Sequence, residues 1–77
     1  MILSEIKKKL SKNFSISGIE TSELDARLIL KEILSFDDKE LIINENYNIP
    51  ERFIKEIFAI GERRLKGEPI SKFLKKG

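Results

Sequence analysis

The side chains that carry most enzyme chemistry are missing from this 77-residue chain. It has no cysteine and no histidine, so thiolate or imidazole metal ligands and Cys–His or Ser–His pairs cannot form. No glycine-rich phosphate or nucleotide loop occurs either. Asp37 and Asp38 form a carboxylate pair, but their place just before an apolar segment is typical of helix caps. The sequence therefore predicts no catalytic residue, no cofactor-binding residue and no metal ligand.

Arg63 and Arg64 are the more informative polar residues, because they precede a Gly-x-Pro break at which Gly67 can end a helix in the left-handed conformation. On the helical wheel Arg64 falls in the apolar arc, whereas Arg63 lies on the polar side. A partly buried guanidinium needs a carboxylate or several carbonyl acceptors, and Asp25 and Glu68 are the candidates. Two roles stay open, locking of the corner between two helices or contact with a partner, for the four residues Arg63, Arg64, Glu68 and Lys72.

Phe73 and the lysines around it form a weaker pattern. An aromatic ring among Lys72, Lys75 and Lys76 could stack on a base while the lysines contact the phosphates of single-stranded nucleic acid. One aromatic residue is little for such a surface. We therefore favour the interpretation that Phe73 belongs to the core.

Apolar periodicity divides the chain into five predicted helices joined by short loops. The first four cover about residues 2–13, 22–35, 38–44 and 50–66. The fifth opens at Pro69 and would carry three apolar residues toward the core: Ile70, Phe73 and Leu74. The sequence thus predicts an all-α bundle of about five helices with no sheet.

Local signals mark where these helices begin. Thr21 or Ser22 could cap the second helix, and Asp37 and Asp38 could cap the third. Pro50 fits the first turn of the fourth helix, where its missing N–H costs nothing.

The second helix is predicted to lie at the centre, because its apolar residues cover most of its circumference. The third helix supplies Leu41, Ile42 and Ile43 to the core. The two isoleucines could also form a strand, but no second strand exists to pair with it. Gly61 lies inside the apolar arc of the fourth helix, which indicates either a close approach of another helix or a weak point.

The net charge of +2 hides a pattern along the chain. Residues 1–12 carry +3, residues 13–61 carry −5, and residues 62–77 carry +4. The basic ends could attract an acidic partner or RNA, although solvated helix faces explain the same charges.

No apolar run is long enough for a signal peptide or a membrane span. A cytoplasmic protein is expected.

Two segments carry a family resemblance. Residues 24–30 read Leu-Asp-Ala-Arg-Leu-Ile-Leu, and residues 63–70 read Arg-Arg-Leu-Lys-Gly-Glu-Pro-Ile, followed by Ser-Lys-Phe-Leu. In these motifs and in their spacing the chain, from about Ile19 onward, resembles the front end of the HemK/PrmC family, the peptide chain release factor glutamine methyltransferases.

The resemblance implies that residues 1–77 form one helical domain, excised from the N-terminal end of a larger enzyme. Such a parent uses S-adenosylmethionine to methylate the glutamine amide in the Gly-Gly-Gln motif of release factors. Its cofactor site and its Asn-Pro-Pro-Tyr motif would lie beyond Gly77. This segment would dock the release factor and do none of the chemistry. The expected partners are the release factor and the catalytic domain, with no metal and no membrane.

Two other functions stay open. A helix-turn-helix module would bind nucleic acid, but the long loop before the fourth helix and the acidic middle of the chain speak against it, so nucleic acid is not an expected partner. A free-standing interaction or inhibitor protein would require Gly77 to be the true terminus.

Overall fold

The computed structural model describes residues 1–73, which fold into a helical bundle with extents of 29 × 29 × 22 Å. It contains helices α1 (Leu3–Ile16), α2 (Ser22–Leu34), α3 (Asp38–Ile43) and α4 (Glu51–Leu65), followed by a 3₁₀ helix, Ile70–Phe73. In this range the extended pairing amounts to one isolated antiparallel bridge, between Ile2 and Asn48. The predicted all-α class is confirmed.

The fifth helix differs from its prediction. Residues Ile70 to Phe73 form a 3₁₀ helix of four residues, so the described chain has four α-helices and one short 3₁₀ turn, which has fewer residues per turn. Such turns are frequent as short connectors. Phe73 is buried, with 9% of its surface exposed, which agrees with its assignment to the core rather than to a nucleic-acid surface. The predicted core residue Leu74 and the two lysines after it lie outside the described residues.

The start of α2 is not capped as predicted. Thr21 stands at the capping position, but neither it nor Ser22 bonds a backbone N–H of the first turn through its side chain. The Thr21 hydroxyl instead donates to Asp25 Oδ1 at 3.0 Å. The backbone of Thr21, with φ of −94° and ψ of 36°, lies outside the extended conformation that capping residues usually adopt, so its hydroxyl oxygen accepts no bond from the first turn.

Other local signals mark the predicted helix ends, although Pro50 stands at the capping position of α4 and not in its first turn. Asp37 Oδ1 accepts from the Glu40 N–H at 2.8 Å, and Glu40 Oε1 accepts from the Asp37 N–H at 3.0 Å, which closes a reciprocal capping box at the start of α3. Pro50 directly precedes α4. Gly67 follows α4 with φ of +102°, the left-handed conformation in which a side chain would be strained.

Helix α2 lies at the centre of the bundle, because it packs against α1, α3, α4 and the 3₁₀ helix. The buried apolar side chains around it form one core. Its members are Leu3, Ile6, Leu10, Phe14, Ala26, Ile29, Leu30, Leu41, Ile49, Ile54 and Ile57.

Helix α3 contributes less to the core than predicted. Leu41 is buried, but Ile42 and Ile43 are 73% and 68% exposed. A helix of six residues makes fewer than two turns. Only Leu41 therefore points into the bundle, and the next two residues point toward solvent. Leu24 and Leu65 are also partly exposed, at 45% and 37%.

Gly61 marks a close approach of α1 and α4. A Cβ atom built at Gly61 would lie 3.0 Å from Leu10 Cδ2 and 3.9 Å from a ring carbon of Phe14. The glycine therefore makes room for the α1 side chains, so the first of its two interpretations is the right one. Within residues 1–73, no helix is long and apolar enough to cross a membrane.

Candidate functional site

Asp25 is a charged residue in the core, with only 2% of its surface exposed. It occupies the first turn of α2, next to the buried Ala26. Its Oδ2 accepts a hydrogen bond from Arg64 Nε at 2.9 Å, and its Oδ1 accepts one from the Thr21 hydroxyl at 3.0 Å. Both oxygens of the buried carboxylate are thus satisfied, one of them by a cation that the last turn of α4 supplies.

Arg64 reaches Asp25 across 39 residues of sequence. Its side chain is 20% exposed, in keeping with its place in the apolar arc of α4. A longer contact, 3.4 Å, runs from Arg64 Nη1 to the backbone oxygen of Glu68. Both candidates from the sequence are therefore acceptors for Arg64, but Asp25 acts through its carboxylate and Glu68 only through its carbonyl.

The Glu68 carboxylate pairs with Arg63 instead. Arg63 Nε and Nη2 donate to the two carboxylate oxygens at 3.0 and 2.8 Å, in a bidentate arrangement. The bond from Arg63 lowers the pKa of Glu68, and Glu68 in turn raises the pKa of Arg63. Lys72 Nζ lies 4.0 Å from the same carboxylate. The guanidinium of Arg63 also stacks over the Phe73 ring, 5.0 Å from its centroid.

These contacts form a corner, which we define by Asp25, Arg63, Arg64, Glu68 and Phe73. It joins the start of α2, the end of α4 and the 3₁₀ helix. In it two arginines face two carboxylates, so the charges balance and no acid or base is left poised for proton transfer. Arg63 and Lys72 keep 57% and 63% of their side chains exposed, so both could also meet a partner.

A cleft of about 230 Å³ lies on another side of the bundle, between α1, α2 and α3. Its lining includes three apolar residues and charged residues of both signs. The apolar residues are Leu3, Leu41 and the exposed Ile42, and the charged residues are Lys7, Arg27, Asp38 and Glu45. The sequence did not indicate this cleft, because Ile42 was expected inside the core. Among the described residues, no group of three or more aspartates and glutamates is placed to hold a metal ion.

The outer side of α1 is basic. Lys8, Lys9 and Lys12 are exposed there. Within residues 1–73 their side chains form no ion pair and no hydrogen bond, whereas Lys31, Arg63, Arg64 and Lys72 each lie within 4.0 Å of a carboxylate oxygen.

Comparison with known proteins shows a match to one protein family. A family model described as the PrmC N-terminal domain matches residues 3–72. A curated protein named bifunctional methyltransferase, from Rickettsia felis, is 36% identical over 70 residues. The aligned region makes up 91% of this chain but 12% of that relative, so the chain spans only a small part of the relative's length. No solved structure gives a significant match.

Proposed function

The chain belongs to the PrmC N-terminal domain family, and from that membership we propose that it is the substrate-docking domain of a protein methyltransferase. The proposed parent transfers a methyl group from S-adenosylmethionine to the side-chain amide nitrogen of the glutamine in the Gly-Gly-Gln motif of a peptide chain release factor. The proposed partners of this domain are the release factor and the catalytic domain of the parent.

The family match over residues 3–72 is the observation that carries this proposal. The chemistry of the chain supports it, because the sequence has no cysteine or histidine and the charged groups of the corner neutralise one another. What the domain does offer is a compact body with charged and apolar residues on its surface. Such a body can bind a macromolecule, and in the proposed reaction the atom that attacks the methyl donor is the amide nitrogen of the substrate glutamine.

A docking domain has a clear physical task in this reaction. The acceptor is one glutamine on a large protein, and a transferase gains rate when contacts far from the reacting atoms hold that glutamine in line with the methyl donor. Binding energy from remote parts of the substrate serves this orientation. A release factor offers such remote surface, whereas a short Gly-Gly-Gln peptide does not.

The test compares these two substrates. The parent enzyme and a form lacking this domain are assayed for methyl transfer to intact release factor and to a short Gly-Gly-Gln peptide. We expect loss of the domain to lower kcat/KM for the intact protein by at least about tenfold and to leave the peptide reaction nearly unchanged. Unchanged binding of S-adenosylmethionine serves as the control that the catalytic domain stays folded. Equal kcat/KM values on intact release factor with and without the domain would refute the proposal.

A further inference from the structure

The outer side of α1 combines three lysines with an exposed aliphatic residue. Lys8 and Lys12 are four residues apart, and Lys9 and Lys12 are three apart, so their side chains are neighbours about 5–6 Å apart at Cβ. Ile16 follows Lys12 by four residues and is 74% exposed. We call these four residues the α1 face. The opposite side of α1 is buried in the bundle through Ile6, Leu10 and Phe14.

The lysines of the α1 face lie within 4.0 Å of no carboxylate oxygen among residues 1–73. Like charges at these spacings repel by a few tenths of a kcal/mol per pair, and Glu5, three residues before Lys8 and four before Lys9, offsets a similar amount. The stability of the helix therefore neither requires nor excludes the three charges. Because they are grouped on one exposed side of a helix, they make that side complementary to an anionic partner.

Ile16 indicates what kind of anionic partner fits. The backbone of a nucleic acid presents phosphates to a basic helix, and it gains little from a neighbouring isoleucine. A protein surface can offer carboxylates for the lysines and an apolar side chain for Ile16 at once. A second copy of this chain does not fit in a two-fold arrangement, because lysines would then face lysines.

We propose that the α1 face binds an acidic segment of the protein substrate, one that places an apolar side chain beside its carboxylates. This inference rests on the proposed docking function and names the surface and the chemistry of that contact. The lysines speed the encounter and set its orientation, and Ile16 adds apolar contact area that added salt does not weaken.

The test uses the 77-residue chain and purified release factor, with the dissociation constant measured by titration at low and at raised salt. Lys8→Glu/Lys12→Glu reverses two charges on the α1 face. The matched control, Lys39→Glu/Lys55→Glu, changes the net charge equally at exposed positions of α3 and α4. A third variant, Ile16→Ser, removes the aliphatic group. Melting followed by circular dichroism verifies that each variant is folded.

We expect the α1 variant to weaken binding by at least about tenfold at low salt and to flatten the salt dependence, while the control stays within about twofold to threefold. Ile16→Ser should weaken binding at both salt concentrations. Equal losses of affinity in the two charge variants would overturn the proposal that the α1 face binds the substrate, and would leave the proposed docking function intact. A wild-type chain that does not bind release factor at all would overturn both. Tighter binding to a single-stranded RNA oligonucleotide, lost in the α1 variant, would replace the protein partner by nucleic acid.

Discussion

Arg64→Ala should destabilise the fold far more than Arg63→Ala, although the two arginines are neighbours in sequence and each pairs with a carboxylate. The Asp25 carboxylate, 3% exposed when Arg64 is present, keeps the Thr21 hydroxyl in the variant but has no cation beside it. Removing one member of a buried ion pair costs about 3–5 kcal/mol. Arg64 is itself 20% exposed, so water can partly replace it, and we expect a loss near the lower end, about 3 kcal/mol.

That loss is large for a domain of this size. At roughly 0.05–0.15 kcal/mol per residue, a domain of 77 residues is stable by about 4–12 kcal/mol. In domains of this length 1 kcal/mol shifts Tm by about 4–8 °C, so Arg64→Ala should lower Tm by about 12–24 °C. Arg63 is 57% exposed, and water solvates Glu68 when Arg63 is removed. The Arg63→Ala variant should therefore melt close to the wild type.

Thermal and urea unfolding followed by circular dichroism measure both variants. Two further variants separate the charge from the packing of the arginine stem. Arg64→Lys keeps a cation and should fall between Arg64→Ala and the wild type. Asp25→Ala combined with Arg64→Ala leaves no stranded charge, so the double variant should lose less than the sum of its single variants. Equal Tm values for Arg63→Ala and Arg64→Ala, or strict additivity in the double variant, would refute the reasoning.

Three other changes test other parts of the structure. Gly61→Val should lower the free energy of unfolding in urea by about 1–3 kcal/mol, because the valine side chain would overlap Leu10. Gly61→Ala should change it by no more than about 1 kcal/mol, since the gain in helix propensity offsets a contact that the end of the Leu10 side chain can relieve. Similar losses in the two variants would contradict the close approach of α1 and α4. Asp37→Ala removes the cap of α3 and should cost about 1 kcal/mol, with no loss arguing against the capping box. Glu68→Gln should lower Tm only slightly at neutral pH, because the pair with Arg63 is largely exposed, and not at all well below pH 4.5, the ordinary pKa of the group. Arg63 lowers the folded-state pKa of Glu68, so the stabilisation is present above pH 4.5 and disappears as the pH falls through the lowered value. A Tm difference that persists in acid would contradict this assignment.

The helix order was predictable from sequence because its signals are local. The capping box of Asp37, Pro50 before α4 and the left-handed Gly67 each act within a few residues, and the apolar periodicity of α2 is enough to place it at the centre. The cap predicted for α2 is absent because Thr21 lies outside the extended backbone conformation of most capping residues. Residue type alone does not reveal that backbone conformation.

The exposure of α3 could not be predicted, because it depends on how far a short helix reaches into the bundle. Ile42 and Ile43 are as apolar as Leu41, and nothing in their composition shows that only one of the three faces inward. The cleft beside Ile42 was missed for the same reason. In the corner, the wheel placed Arg64 on the inner side of α4, but the choice between Asp25 and Glu68 required the tertiary packing of α4 on α2.

The residues that carry the family resemblance are also residues that fix the fold. Asp25 in the first motif pairs with Arg64 in the second, and this contact links α4 to α2. Gly67 turns the chain, so that Glu68 can meet Arg63 and Phe73 can enter the core. The motifs by which this chain resembles part of an enzyme family therefore describe a shape. The charged groups of the corner bind one another inside the fold. A substrate protein could therefore be recognised by other surfaces, such as the α1 face, whose lysines form no ion pair among residues 1–73.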